Sequence, residues 1–181
     1  QPQVYTHYGA FPDVLTGAFA ILIGSTSESK LRLLPIIISI LTMILFYQLL
    51  LLFAVKKNDA LLMVAIVSLS NWFLMWADAL NKHVYEFFLL VMSLNISFLV
   101  IKRRQFYFGS MLAFLIGLIS IHISYELVIY LAVFYFSLIV FNRLFSRFYI
   151  LLLTALYLGF VVGFVLHLYL NYLVFQDFQL M

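Results

Sequence analysis

The chain has 181 residues, of which 66% are hydrophobic and 9% charged, with a formal net charge of +3. Soluble domains carry roughly 45–50% apolar and about 25% charged residues, so this balance excludes an ordinary soluble fold. It predicts an all-α, polytopic transmembrane helix bundle. The basic residues come in twos and threes between apolar stretches, which leaves no patch for nucleic acid. The sequence has no cysteine, so disulfides and thiolate metal sites are excluded.

In chain order, residues 1–30 form a mixed stretch that ends in Gly24 and a Ser-rich run. Its apolar part, 14–23, is too short to cross about 30 Å of hydrocarbon. It predicts an interfacial or re-entrant helix introduced by the Pro12-Asp13 turn signal. Residues 31–170 are expected to be the bundle, with about six spans: 31–55, 60–76, 87–101, 106–123, 127–141 and 148–170. Pro35 near the start of the first span sits where a missing N–H costs least. Residues 171–181 are expected to be a tail outside the membrane. The start at Gln1, with no signal-peptide pattern, suggests an internal part of a longer protein.

Charge gives an orientation. Lys56, Lys57, Lys102, Arg103, Arg104, Arg143 and Arg147 fall in alternate connections, which the positive-inside rule places in the cytoplasm. The extracytoplasmic side of the plasma or inner membrane then receives Asp13, Glu28, Asp78, Glu86, Glu126 and Asp177, together with all four histidines. Lys30, Arg32 and Lys82 break the bias. They either snorkel to headgroups at span ends or hold an anionic group, with phosphate the natural candidate.

The densest polar stretch is DALNKHVYE, residues 78–86, with two acids, a lysine, a histidine and a tyrosine between apolar segments. Such a stretch is either a solvated loop or a working site. His83 and Glu86 are spaced i, i+3 and His122 and Glu126 i, i+4, so each pair could share a helix face. An imidazole beside a carboxylate suits acid–base work or a structural hydrogen bond. Asn71 and Asn95, inside spans, are expected to bond between helices. Gly159-Phe-Val-Val-Gly163 marks a close-packing helix surface. Sequence motifs for nucleotide binding, serine nucleophiles and zinc proteases are absent.

The order of these features resembles a known layout. A Tyr-x-His-Tyr-Gly-x-x-Pro stretch (Tyr5 to Pro12) is followed by the run from Gly24 to Leu33, which enters a span containing Tyr47. A second span ends at Asp78, and Lys-His-x-Tyr (Lys82 to Tyr85) opens the next. This resembles the membrane half of GT-C-type glycosyltransferases, the superfamily of protein O-mannosyltransferases and lipid A aminoarabinose transferases. The resemblance covers residues 5–130. It implies transfer of a sugar from a polyprenyl-phosphate carrier at the extracytoplasmic face, with membrane lipid and other membrane proteins as partners, and it leaves a divalent metal open.

On that resemblance, Asp13, Asp78 and Glu126 are candidate catalytic acids. Tyr5, His7, Arg32, Lys82, His83, Tyr85 and His122 are candidate substrate contacts, with Arg32 at the carrier phosphate and Lys82 and Tyr85 at the second-loop basic and aromatic positions. The family's acid follows a first span; no span precedes Asp13 in this sequence, and no Asp-Glu or Asp-x-Asp stands there. An alternative is a non-catalytic or haem-binding membrane subunit of a respiratory or ATP-synthesising complex, with His122 and His167 on the iron. A transporter ranks last, because the charges gather at one face rather than at midplane.

Overall fold

The computed structural model describes residues 11–70, 73–74, 82–103, 105–141 and 146–175, and every element among them is a helix. In chain order these are α1 (Phe11–Ile23), α2 (Glu28–Leu31), α3 (Leu33–Leu52), α4 (Lys57–Ser68), α5 (Lys82–Arg103), α6 (Phe106–Ser120), α7 (Tyr125–Phe141) and α8 (Ser146–Phe175). Among the described residues three stretches are long and apolar enough to cross a membrane: Glu28–Leu52, His83–Val100 and Arg147–Leu170. At 1.5 Å per residue, the 12 residues of α4 and the 15 of α6 rise only about 18 and 23 Å, short of the hydrocarbon thickness.

The backbone divides into two compact units, one of Pro12–Leu99 and one from Val100 onward. In the first unit, α3 buries Pro35, Ile38, Ser39, Thr42, Met43 and Leu49, a stripe at helical spacing. Its other faces expose Ile36, Ile37, Ile40, Leu41 and Ile44. A helix apolar all round, with only one stripe packed on protein, is fitted to hydrocarbon on the rest. Two buried hydroxyls bond within their own helices: Thr42 donates to the Ile38 carbonyl at 2.7 Å and Ser97 to the Ser93 carbonyl at 2.7 Å. Asn95 is 2% exposed, and its amide nitrogen donates to the carbonyls of Leu45 and Val91, both at 2.9 Å. The expectation of an interhelical bond at Asn95 is met; Asn71 lies outside the described residues.

The Asn95–Leu45 bond and the Phe53–Phe98 ring contact together set direction. Asn95 lies 13 residues past Lys82 (95 − 82) and Leu45 lies 12 past Leu33 (45 − 33). The N-terminal ends of α3 and α5 are therefore level, and the two helices run parallel. The edge-to-face rings of Phe53 and Phe98, 4.6 Å apart, repeat the match nearer the other end. Lys56 and Lys57, in the α3–α4 turn, stand at that other end.

Two helix ends use a left-handed residue. Gly24 (φ 61°) closes α1, with Ser25 N–H returning to the Ala20 carbonyl at 3.0 Å. Ala54 (φ 60°) does the same for α3, with Val55 N–H returning to Leu50 at 3.1 Å. Alanine has no ready access to that conformation, so this end carries local strain.

In the second unit α6 and α8 pack backbone against backbone. A Cβ on Gly117 would fall on the Leu156 carbonyl oxygen, one on Gly159 on that of Phe114, and one on Gly163 on that of Leu118. Only glycine permits this approach. The stacked rings of Phe106 and Phe148, 3.6 Å apart, fix the N-terminal ends of α6 and α8 together. These two helices also run parallel, and α7 returns between them in sequence. The close-packing surface expected at Gly159 and Gly163 is thus met, with Gly117 as a partner the pattern did not name.

Candidate functional site

Parallel α3 and α5 bring two polar helix starts to one end of the first unit: Glu28–Arg32 on α2 and its cap, and His83–Glu86 on α5. The expected i, i+3 pair is formed, with His83 Nδ1 and Glu86 Oε2 2.8 Å apart. Glu86 is mostly covered, its side chain 12% exposed, so the pair sits at the edge of the packed interior.

Tyr85 lies between them in sequence and on a different face. It is 2% exposed, and no hydrogen bond reaches its hydroxyl among the described residues. That hydroxyl lies near Thr16 and Asp13 of α1. Thr16 donates its own proton to the Pro12 carbonyl at 2.8 Å, so towards Tyr85 it offers lone pairs. A buried phenol with an uncommitted proton costs about 1–3 kcal/mol unless water or a ligand meets it. Asp13, exposed in the first turn of α1, lies within electrostatic reach of the Tyr85 hydroxyl.

Arg32 donates to a single carboxylate oxygen of Glu28 in an exposed contact, Nε at 3.3 Å and Nη2 at 2.8 Å from Oε1. Exposed ion pairs of this kind are worth about 0–1 kcal/mol. The guanidinium therefore exchanges partners at little cost, and an anion at the same end meets a flexible donor.

In the second unit the expected His122–Glu126 helix face is not formed. His122 lies in the 121–123 turn and Glu126 in the first turn of α7, so the two are not on one helix. Glu126 is exposed, with its N–H on the Ser124 hydroxyl at 3.2 Å. His122 instead meets His167 of α8. Sequence spacing gave no sign of that contact, since 45 residues separate the two (167 − 122).

Tyr5, His7 and Asp78 lie outside the described residues, and Lys82 opens α5. Among the described residues no group of three or more histidine or acidic side chains is arranged to hold a metal. No protein family, curated protein or solved structure matches the chain.

Proposed function

We propose that the chain is the membrane-embedded part of a GT-C-type glycosyltransferase, taking a sugar from a polyprenyl-phosphate carrier at the extracytoplasmic face. The observation that supports it most is the buried Tyr85 hydroxyl, with no hydrogen bond among the described residues and within the electrostatic reach of the Asp13 carboxylate. In this reading Asp13 accepts the proton of the acceptor hydroxyl as that oxygen attacks the sugar. The bond from the sugar to the carrier phosphate breaks, and Arg32 balances the charge left on the phosphate. The Tyr85 hydroxyl donates a hydrogen bond to a substrate oxygen. The His83–Glu86 pair holds the start of α5 in place.

The extracytoplasmic placement rests on Lys56 and Lys57 at the opposite end of α3 from Arg32. Single cysteines at Ser29 and Asn58, in a chain with no cysteine of its own, test it with an impermeant thiol reagent in intact cells. Ser29→Cys is expected to label and Asn58→Cys to be protected; the reverse pattern inverts the orientation.

The alternative haem-binding reading draws on His122 and His167. The close contact of α6 with α8 next to them, where Gly163 meets Leu118 and Ile121, leaves little room for a porphyrin. An optical spectrum of the purified protein tests it: no Soret band is expected, and one would restore the haem-binding reading.

The transfer reading is tested by reconstituting the full-length protein with a polyprenyl-phosphate-linked sugar and an acceptor. Asp13→Asn and Tyr85→Phe are each expected to lower turnover at least about tenfold, or about 1.4 kcal/mol of barrier, with unfolding temperature held. Full turnover in both variants overturns the reading.

A further inference from the structure

A groove of about 460 Å³ runs between α3 and α4, lined by apolar surface that includes Ile36, Ile40, Ile44 and Tyr47 of α3 and Leu61 and Val64 of α4. It exists because α4 is short and leaves the face of α3 partly uncovered: Ile40 is 56% and Ile44 50% exposed. On a helix that crosses a membrane, that face meets lipid and not water.

Two features say what fills it. From Ile36 to Tyr47 the floor spans 11 residues (47 − 36), about 16 Å of rise. That is half of a hydrocarbon core about 30 Å thick, the depth of one leaflet. Arg32, Ile36, Ile40 and Ile44 recur every fourth residue, and Ile36 N–H bonds the Arg32 carbonyl, so Arg32 stands on the floor's own face one turn beyond its end. Lys30 and Arg32 against Glu28 leave that end of the helix with one net positive charge.

We infer that this groove holds one acyl chain of an anionic membrane phospholipid, whose phosphate rests on the Arg32 guanidinium. The chain supplies the apolar contact, and the guanidinium supplies headgroup selection by charge-assisted hydrogen bonds. The Glu28–Arg32 pair is exposed and weak enough to yield one donor to the phosphate. The inference goes beyond sugar transfer: a chain that transfers nothing still holds this lipid. Where both hold, carrier and phospholipid compete for one guanidinium.

The test uses the purified full-length protein equilibrated with vesicles of phosphatidylglycerol and phosphatidylcholine in equal amounts, then read by native mass spectrometry, with no sugar donor present. One phosphatidylglycerol is expected to be retained, preferred over phosphatidylcholine by about tenfold. Arg32→Gln, at an exposed position, is expected to bring the preference to parity, and Arg32→Lys to keep part of it. Ile40→Trp, which fills the groove from an exposed site, is expected to lose retention of both lipids. Equal retention of the two lipids by the unaltered protein overturns the inference, as does a preference that survives Arg32→Gln or a tail that survives Ile40→Trp. Asp13→Asn keeps its lipid if the groove is right, whatever becomes of transfer.

Discussion

His122, in the turn after α6, sets its imidazole edge-to-face with that of His167 on α8, ring centres 5.6 Å apart and planes at 61°. Burial in that turn, and to a lesser degree the neighbouring His167, pushes the His122 pKa below its ordinary value. A histidine held neutral in the folded state binds fewer protons than in the unfolded chain as pH drops. Its contribution is fully present above the unfolded value near about 6.5 and is lost as pH falls through the lower folded value. Unfolding temperature in detergent is therefore expected to decline from pH 7.5 towards pH 5, and His122→Gln to flatten that decline. Identical slopes in the two proteins would show that the pair carries no linkage.

Gly159→Ala is expected to destabilise the second unit by about 1–3 kcal/mol, because the new methyl group meets the Phe114 backbone and not a side chain that can rotate away. Gly17→Ala is the control, since nothing lies within 4 Å of that Cβ position. The measurement is thermal unfolding of the two variants side by side; equal midpoints would falsify the packing described for α6 and α8.

Ala54→Gly is expected to raise stability by about 0.5–1 kcal/mol. Its left-handed backbone at the end of α3 costs alanine about 1–2 kcal/mol, part of which glycine returns as chain entropy in the unfolded state. A lower midpoint in the glycine variant would mean that the Ala54 methyl makes a contact worth more than the strain.

Asn95→Ala is expected to cost about 1 kcal/mol, the scale of an interhelical hydrogen bond in a membrane protein. The loss is moderated because the Asn95 Oδ1 has no partner among the described residues, so truncation also removes a buried orphan. A neutral result would assign the parallel seating of α3 and α5 to apolar packing alone.

Which features were legible in the sequence follows from the range of the interactions. The start of α3 and its basic far turn were visible, since an apolar run bounded by charges marks both ends. The His83–Glu86 pair was visible because i, i+3 spacing needs one helix and nothing else. The apolar run 60–76 hid the end of α4: hydropathy continues past Ser68, while the chain turns at Leu69 and Ser70. Spacing pairs His122 with Glu126 because it favours near neighbours, and the reversal at 121–123 breaks that helix. Asp13 and Tyr85 were both singled out, but their proximity depends on how α1 meets α5, which no local pattern carries.

The glycine contacts of the second unit also set an order of events. Gly117 cannot find the carbonyl of Leu156, nor Gly159 that of Phe114, until α7 has been made and α8 has followed it. At about 5–20 residues per second, the 42 residues from Gly117 to Gly159 take roughly 2–8 s to synthesise. For that interval α6, only 15 residues long, has a bare backbone face and no parallel partner. Its lodging in the membrane is therefore settled late and from the C-terminal side, when α8 arrives to cover it.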